Sequence, residues 1–356
     1  MKNAIVGVDL AKNVIQVCVY SNQKVRSNKE MTTNEFTEWL ANSTPVVIVF
    51  EACGTSNYWK QKAGSLGHDA RLISPTLVKS VRQNQKTDKN DALAIVQASL
   101  LPDVTFIAGK SIEQQQLQSM MRLRELCVKQ KTASYNQLIA LLSEFNIKVS
   151  NRNGGLKGTI ETVLEDAENG FSAEFRQALH MAWEQYSSIV QSIGVYDSCL
   201  ENALESHSDC KKLLQLEGVG PLNAINLYIA LGCAELGVFK KGKDAAACIG
   251  LTPIQHSSGG KAKFGTIGKY VKNGLLRSQL ITGALSAVSI AMKREPRTKK
   301  DLWIRALVER RGKKCAAVAL ANKTVRTAYA MLTKGTEYEA ELLPDPKSLS
   351  NKMQKY

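Results

Sequence analysis

The stretch AIVGVDLAKNVIQVCVY (residues 4–20) sets the reading of the fold. Ala4–Leu10 is a short apolar run ending beside an acid, and Val14–Tyr20 is β-branched and partly alternating. Both patterns predict strands, and the three residues between them predict a hairpin. Working outward, Lys24–Ser27 predicts a short third strand. Thr33–Asn42 predicts a helix capped near Thr32 or Thr33. VVIVF (46–50) is continuously apolar, the pattern of a strand covered on both faces. Asn57–Leu66 predicts a helix, Ala70–Ile73 a strand, and DKNDALAIVQASL from Asp88 a further helix. The order β-β-β-α-β-α-β-α is the one expected of a ribonuclease-H-like domain.

Beyond this α/β part the pattern turns helical. Residues 111–146 hold neither Gly nor Pro and space Ile112, Leu117, Met120, Met121, Leu138, Leu141 and Leu142 at helical intervals. NRNGGLKG (151–158) predicts a loop, and residues 159–208 are again helix-permissive, so an antiparallel pair of long helices is expected. From residue 211 short helices alternate with Gly-rich turns. LLQLEGVGPLNAINLYIAL (213–231) reads equally as a helix-hairpin-helix element, whose turn amides grip a phosphate, or as a plain helix–helix turn. Lys272–Met292 predicts a helix, and Leu302–Thr333 another, broken near Arg310–Lys314. The expected division is 1–105 α/β, 106–210 a coiled-coil helical region, 211–336 a mostly helical C-terminal domain, and 337–356 a polar, unstructured tail.

Charge is concentrated in one region. Residues 240–334 hold 21 Lys or Arg against four acids, a net of +17. The whole chain carries +15, so the remainder is near −2. A solvated surface ordinarily mixes both signs, so this excess points to a polyanionic partner, nucleic acid above all. The eight cysteines form no Cys-x-x-Cys pair and there are four histidines, which argues against zinc sites and a disulfide framework. No signal peptide opens the chain and no uninterrupted apolar run reaches membrane-spanning length, so a cytoplasmic protein without membrane attachment is expected.

Four acids stand at informative places. Asp9 ends the first strand, Glu51 follows VVIVF, and Asp88 and Asp91 lie three apart where a helix begins. Acids at the ends of neighbouring strands meet on one sheet edge, and acids at i and i+3 share a helix face. Oxygen donors gathered this way suit Mg²⁺, and paired Mg²⁺ ions stabilise both oxygens of a phosphodiester displacement. Taken singly, each acid reads as a turn or capping residue; taken together, the four favour a site. GLTPIQHSSGGKAKFGTIGK (250–269) carries Ser257 and Ser258 before two glycines, with Lys261, Lys263 and Lys269 following. By composition alone this is a Ser-Gly turn in a basic loop, and His256 beside it reads more readily as structural than as a base. Arg277, Arg310, Arg311, Lys313 and Lys314 are further candidates for phosphate contacts.

GVDLAK (7–12), EACGT (51–55), KTDKNDA (86–92), the EQQQLQSMMRLRE helix (113–125), LEGVGP (216–221) and GLTPIQHSSGGK (250–261) occur in an order that resembles the DEDD transposases of insertion sequences, also called bridge recombinases. The likeness is strongest to the subgroup with the long Glu-Gln-Gln helix, and covers about residues 4–334. It implies a RuvC-like N-terminal domain, a coiled coil and a C-terminal transposase domain. It implies Asp9, Glu51, Asp88 and Asp91 as a Mg²⁺-binding tetrad and a serine nucleophile, Ser258 by position or Ser257 as the alternative. It further implies donor and target DNA, a noncoding guide RNA, and homodimers pairing into a tetramer. Ile254 departs from the pattern, where relatives often carry Arg. The rival readings are a metal-dependent junction nuclease that uses water and a noncatalytic nucleic-acid-binding protein.

Overall fold

The computed structural model describes residues 4–83, 85–151, 154–233, 239–268 and 274–343. The chain divides into two compact units, one of residues 1–114 with 212–356 and the other of residues 115–211.

The N-terminal part holds β1 (Ile5–Leu10), β2 (Ile15–Ser21), β3 (Lys24–Met31), α1 (Thr33–Asn42), β4 (Val47–Glu51), α2 (Ser56–Ser65), β5 (Asp69–Ile73), α3 (Pro75–Val81) and α4 (Asp88–Ser99). The sheet order is β3-β2-β1-β4-β5, with β1–β3 antiparallel and β1, β4 and β5 parallel. The predicted element order is the one found, with α3 added and β3 extended to eight residues. This sheet agrees with a RuvC-like domain. Thr32 caps α1, its side chain accepting from the Glu35 amide while Glu35 accepts from the Thr32 amide.

Strand alternation sorts the residues between two cores. Val6, Val8, Ile15, Val17, Val19, Ile48 and Phe50 face α1 and α2, where Phe36, Leu40, Trp59 and Ala63 cover them. Val49 and Ile73 face the other way, against Val78 of α3 and Ala94, Ile95 and Ala98 of α4. Cys18 lies on this second face under Ala92 and Val96. Gly7 belongs to it too. A Cβ there would stand 2.4 Å from the Ala92 carbonyl oxygen and 2.7 Å from Val96 Cγ2. Only glycine lets α4 lie this close to β1.

The second unit is built on α5 (Ile112–Glu144), which begins at its border, α6 (Gly155–Glu165) and α7 (Ala173–Ser206). The long helices run antiparallel: Arg124 pairs with Asp197, the Tyr135 ring lies tilted against Tyr186, and Leu138 and Leu142 share a core with Leu179. The predicted loop after α5 is shorter than expected, because α6 starts inside it at Gly155. Arg176 closes the α6–α7 connection, donating to the carbonyls of Val163 and Leu164 at 3.0 Å each.

The C-terminal part follows α8 (Ser208–Lys212) and a 3-10 turn with α9 (Pro221–Leu227), α10 (Gly242–Cys248), β6 (Pro253–Ser258), β7 (Lys261–Ile267), α11 (Gly274–Lys293) and α12 (Lys299–Lys334). Leu276, Leu280, Ala284 and Val288 form a buried stripe on α11. Ala316, Ala317, Leu320, Ala321, Val325 and Ala328 do so on α12. By length and composition alone α11 could cross a membrane, although no uninterrupted apolar run had suggested it. Its buried stripe packs instead in the C-terminal core. Gly283 meets the Gly218-Val219-Gly220 turn so closely that a Cβ would stand 2.1 Å from the Gly218 carbonyl oxygen. α12 is kinked at Gly312 (φ 79°, ψ 164°), inside the basic break predicted from sequence. The segment expected to be an unstructured tail is docked over residues 338–343, where Leu343 N–H donates to the Arg297 carbonyl and Tyr338 Oη donates to Glu217. Residues 344–356 lie outside the described residues.

Candidate active site

Pairing and alternation bring two of the acids together. β1 and β4 are parallel neighbours with Val8 opposite Phe50, so Asp9 and Glu51 follow at the same end of the sheet. Asp9 lies two residues beyond Gly7 and Glu51 two beyond Val49, so both stand on the face that α4 covers. Thr87 caps α4, accepting from the Asn90 amide at 3.3 Å. Asp88 is therefore free of the capping role it had as an alternative reading. Asp88 and Asp91 occupy the first turn of α4, with Asp91 directly before the Ala92 that presses on Gly7.

The electrostatics follow this convergence. Burial raises the pKa of Asp9 most, and the charges of Asp91 and Asp88 raise it further against the opposing Lys86. Burial also raises the pKa of Glu51, helped by Asp9 and Asp91 and opposed by Arg82 and Lys86. Asp91 is buried and takes the Arg82 guanidinium at 2.7 Å, whereas Asp88 is exposed at the rim.

Gln16 is part of the same surface, although nothing in its local sequence marks it. It pairs across the sheet with Asp9 and is 1% exposed. Its Nε2 donates to Asn28 Oδ1 at 2.7 Å, and Asn28 Nδ2 donates to the Lys89 carbonyl at 2.9 Å, tying β2 and β3 to the first turn of α4. Gln16 Oε1 is buried, with no hydrogen-bond partner among the described residues. Carboxylates and an amide oxygen are, by donor type, the hard oxygen ligands that a divalent cation takes. Among the described residues, however, no three His, Cys, Asp or Glu side chains close around a common point in ligand geometry.

The serine segment is a β-hairpin, where a basic loop was expected. β6 and β7 pair antiparallel, with Ser258 opposite Lys261, His256 opposite Lys263 and Gln255 opposite Phe264. Gly259 (φ 55°) and Gly260 (φ 78°) form the turn, and two left-handed residues there match the right-handed twist of the flanking strands. Residues directly opposite share a face and neighbours along a strand do not. Ser258, His256, Lys261 and Lys263 therefore share one face, and Ser257 lies on the other with Gln255 and Phe264. Ser257, Ser258 and His256 are exposed, so His256 has no structural duty in the core.

Arg277 anchors this hairpin. Its Nε donates to the Gly250 carbonyl at 3.1 Å, ahead of β6, and its guanidinium sits where a Cβ at Gly268, behind β7, would be 2.7 Å away. The predicted phosphate ligand is half-buried and engaged with backbone. Arg310, Arg311, Lys313 and Lys314 are exposed around the Gly312 kink, and Lys269 lies outside the described residues. The hairpin rises from the C-terminal part and the carboxylates from the N-terminal sheet. Among the described residues, no hydrogen bond or ion pair joins Ser258 to an acid of the set.

Two family models match this chain: a DEDD transposase model of the IS110 type over residues 6–147, and one described as transposase IS116/IS110/IS902 over residues 210–300. The transposase for insertion sequence element IS1111A of Coxiella burnetii is 32% identical over 335 residues, 94% of this chain and 91% of that protein. A probable family 20 transposase of Pseudomonas aeruginosa is 32% identical over 336 residues, covering 94% of this chain and 98% of that protein. The transposase for insertion sequence element IS1328 of Yersinia enterocolitica is 27% identical over 338 residues, 94% of this chain and 98% of that protein.

Proposed function

The chain belongs to the IS110 family of DEDD transposases, and from that premise we propose that it cuts and rejoins DNA with Asp9, Glu51, Asp88 and Asp91 as a divalent-cation site and Ser258 as nucleophile. The observation that carries this reading is the gathering of four acids from β1, β4 and α4 on one face of one sheet edge, where each of Asp9 and Glu51 feels at least two other carboxylates. Such crowding of like charge is costly unless a cation offsets it. Mg²⁺ bound there would stabilise charge on the phosphate being attacked.

Ser258 is preferred to Ser257 because it shares its face with Lys261 and Lys263, which bring positive charge to an incoming phosphate. In the proposed step a bond forms between Ser258 Oγ and phosphorus as the bond from phosphorus to one deoxyribose oxygen breaks. The serine proton leaves with base or solvent, and the released sugar oxygen takes up a proton. Attack by a sugar hydroxyl of the exchanged strand then reverses the sequence and frees the serine, so the phosphodiester energy is kept. Hairpin and carboxylates come from distant stretches of one compact unit, and in the proposed assembly one protomer's hairpin serves another's acids. Leu123, Leu126 and Val195 are exposed on the long helices and are available for the contact between protomers in the proposed homodimers, which pair into a tetramer.

The remaining element is a noncoding guide RNA that pairs with donor and target DNA. The net +17 of residues 240–334, with no evident base-reading motif, supports a protein that holds nucleic-acid backbones and leaves sequence reading to base pairing.

The deciding experiment incubates the purified protein, its guide RNA and labelled donor DNA with Mg²⁺. Wild type and Ser257→Ala are expected to cut and to leave a denaturation-resistant protein–DNA adduct. Ser258→Ala and Asp88→Asn/Asp91→Asn should do neither. Cutting without an adduct by Ser258→Ala would establish the water-using nuclease instead, and full activity of the double Asn variant would remove the carboxylates from the chemistry.

A further inference from the structure

A groove of about 1240 Å³ runs through the C-terminal part, between the start of α10, the outer face of α12 and the root of the serine hairpin. It exceeds the roughly 300–1,000 Å³ of ordinary small-molecule pockets, so a chain suits it better than a metabolite. Lys241, Lys243, Lys314, Lys323 and Arg326 line it, and among the described residues no acid does. All five are exposed, and none forms an ion pair with an acid among the described residues. Clustered cations without counter-charge repel one another, so their gathering favours a polyanion.

Close packing builds this arrangement. A Cβ at Gly242 would stand 3.1 Å from the Arg326 carbonyl oxygen. The glycine lets the start of α10 approach the α12 backbone, so Lys241 and Lys243 come beside Arg326. Between the cations the lining is apolar, and Trp303 contributes its indole, with Lys323 Nζ 5.1 Å from the ring centroid. A duplex presents phosphates outward and would leave an apolar floor without use. A single strand presents both phosphates and unpaired bases, which stack on aromatic and apolar surfaces.

The geometry points to a binding groove for single-stranded nucleic acid, with phosphates along the five cations and bases against Trp303 and the apolar floor. Pro253 and Ile267, opposite each other at the hairpin root, form part of its wall. The hairpin tip lies five strand residues on, roughly 17 Å away. A strand leaving the groove along the cationic face of the hairpin reaches Ser258. This last step rests on the function proposed above; the groove itself does not.

The test measures equilibrium binding of labelled 20-nucleotide DNA, RNA of the same sequence, and the corresponding DNA duplex to the full chain between 50 and 300 mM salt. Lys243→Glu/Arg326→Glu should weaken single-strand binding about tenfold or more, and reduce the log–log salt slope by roughly 1.4, two phosphate contacts' worth. Trp303→Leu should weaken it about five- to a hundredfold with the slope unchanged, and Trp303→Phe should restore much of the loss. Melting midpoints matched to wild type identify variants that are folded, and the exposed charge pair gives a reading even if Trp303→Leu is not. Tighter binding of the RNA or of the DNA identifies which strand the groove holds. Single-strand affinity unchanged by charge reversal, or duplex bound as tightly as single strand, overturns the proposal. Loss of self-association on charge reversal with nucleic-acid binding intact also overturns it, in favour of an interface between copies. The binding measurements involve no cleavage, so DNA cleavage retained by Ser258→Ala would remove the nucleophile while leaving the groove standing.

Discussion

Arg82 Nη1 donates to Asp91 Oδ1 at 2.7 Å, and the side chains keep 21% and 11% of their exposure. Arg82 thus supplies positive charge to the carboxylate cluster from protein alone. Arg82→Ala leaves Asp91 shielded beside Asp9 and Glu51 without that charge. We expect a loss of about 1–3 kcal/mol in cation-free protein, less than a fully buried pair would cost because part of the guanidinium is already solvated. Urea midpoints with and without millimolar Mg²⁺ check this. The cation should stabilise the variant more than wild type, since it restores what Arg82 provided. Equal stabilisation of both would show that Arg82 and the cation serve different places.

Gly7 is the contact that sets Asp91 against Asp9. With the Ala92 carbonyl oxygen 2.4 Å from a Cβ at residue 7, Gly7→Ala must push α4 off the sheet. Overpacking of this kind costs about 1–3 kcal/mol. Displacing α4 also spreads the acids, so DNA cleavage should fall at least tenfold at temperatures where the variant remains folded. Circular dichroism melts alongside a cleavage assay separate the two effects. Wild-type stability and activity in Gly7→Ala would show that the helix does not depend on this approach.

Much of this arrangement was legible because its signals are local. Strand patterns, the acid at the end of β1, and Asp88 and Asp91 at a helix start all lie within short windows, and the sheet follows from their order. Gln16 and Arg82 were not legible. A Gln inside an apolar strand carries no mark of its neighbour Asp9 until the β1–β2 register is known, and the Arg82–Asp91 pair depends on how α3 and α4 turn back on one another. The serine hairpin carries the sequence pattern of a loop because all but one of its β6 residues are exposed, so no buried face imposes an apolar alternation. The signal that could have found it was Gly259-Gly260 between two short runs. The contact of Arg277 hid behind its charge, since nothing local marks a guanidinium that also donates to a backbone carbonyl, here that of Gly250.

Asp301 predicts a pH dependence. It is 5% exposed, at the third position of α12, and accepts from the amides of Arg297 at 2.8 Å and Thr298 at 3.1 Å, with Arg294 beside it at 3.3 Å. Burial alone would raise its pKa, but those amides and Arg294 together hold it below the ordinary carboxylate range. A lowered folded pKa means that ionised Asp301 stabilises the fold above its unfolded pKa, and that this contribution disappears as pH falls through the folded value. Asp301→Asn should cost about 1–2 kcal/mol at pH 7. Urea titrations from pH 7 to pH 3 should show wild type and variant converging at the acid end. A constant gap would mean that the side chain stabilises by packing and not by charge.

The hairpin turn offers a test that leaves the nucleophile in place. Gly259 and Gly260 both have positive φ, a backbone that costs an ordinary L-residue about 1–2 kcal/mol while Asn and Gly accept it. Gly259→Asn creates the Asn-Gly pair favoured in such turns, so Ser258 should stay opposite Lys261 and cleavage should remain within about twofold of wild type. Gly260→Val places a β-branched residue at φ 78°, which disfavours the turn and with it the pairing that puts Ser258, Lys261 and Lys263 on one face. Its DNA cleavage should drop at least tenfold. The tip is exposed and buries little apolar surface, so the melting midpoint should move by no more than a degree or two. Cleavage at the wild-type rate by Gly260→Val would show that the chemistry does not depend on the ordered hairpin. A large fall in melting temperature would show instead that the tip packs more firmly than its exposure implies.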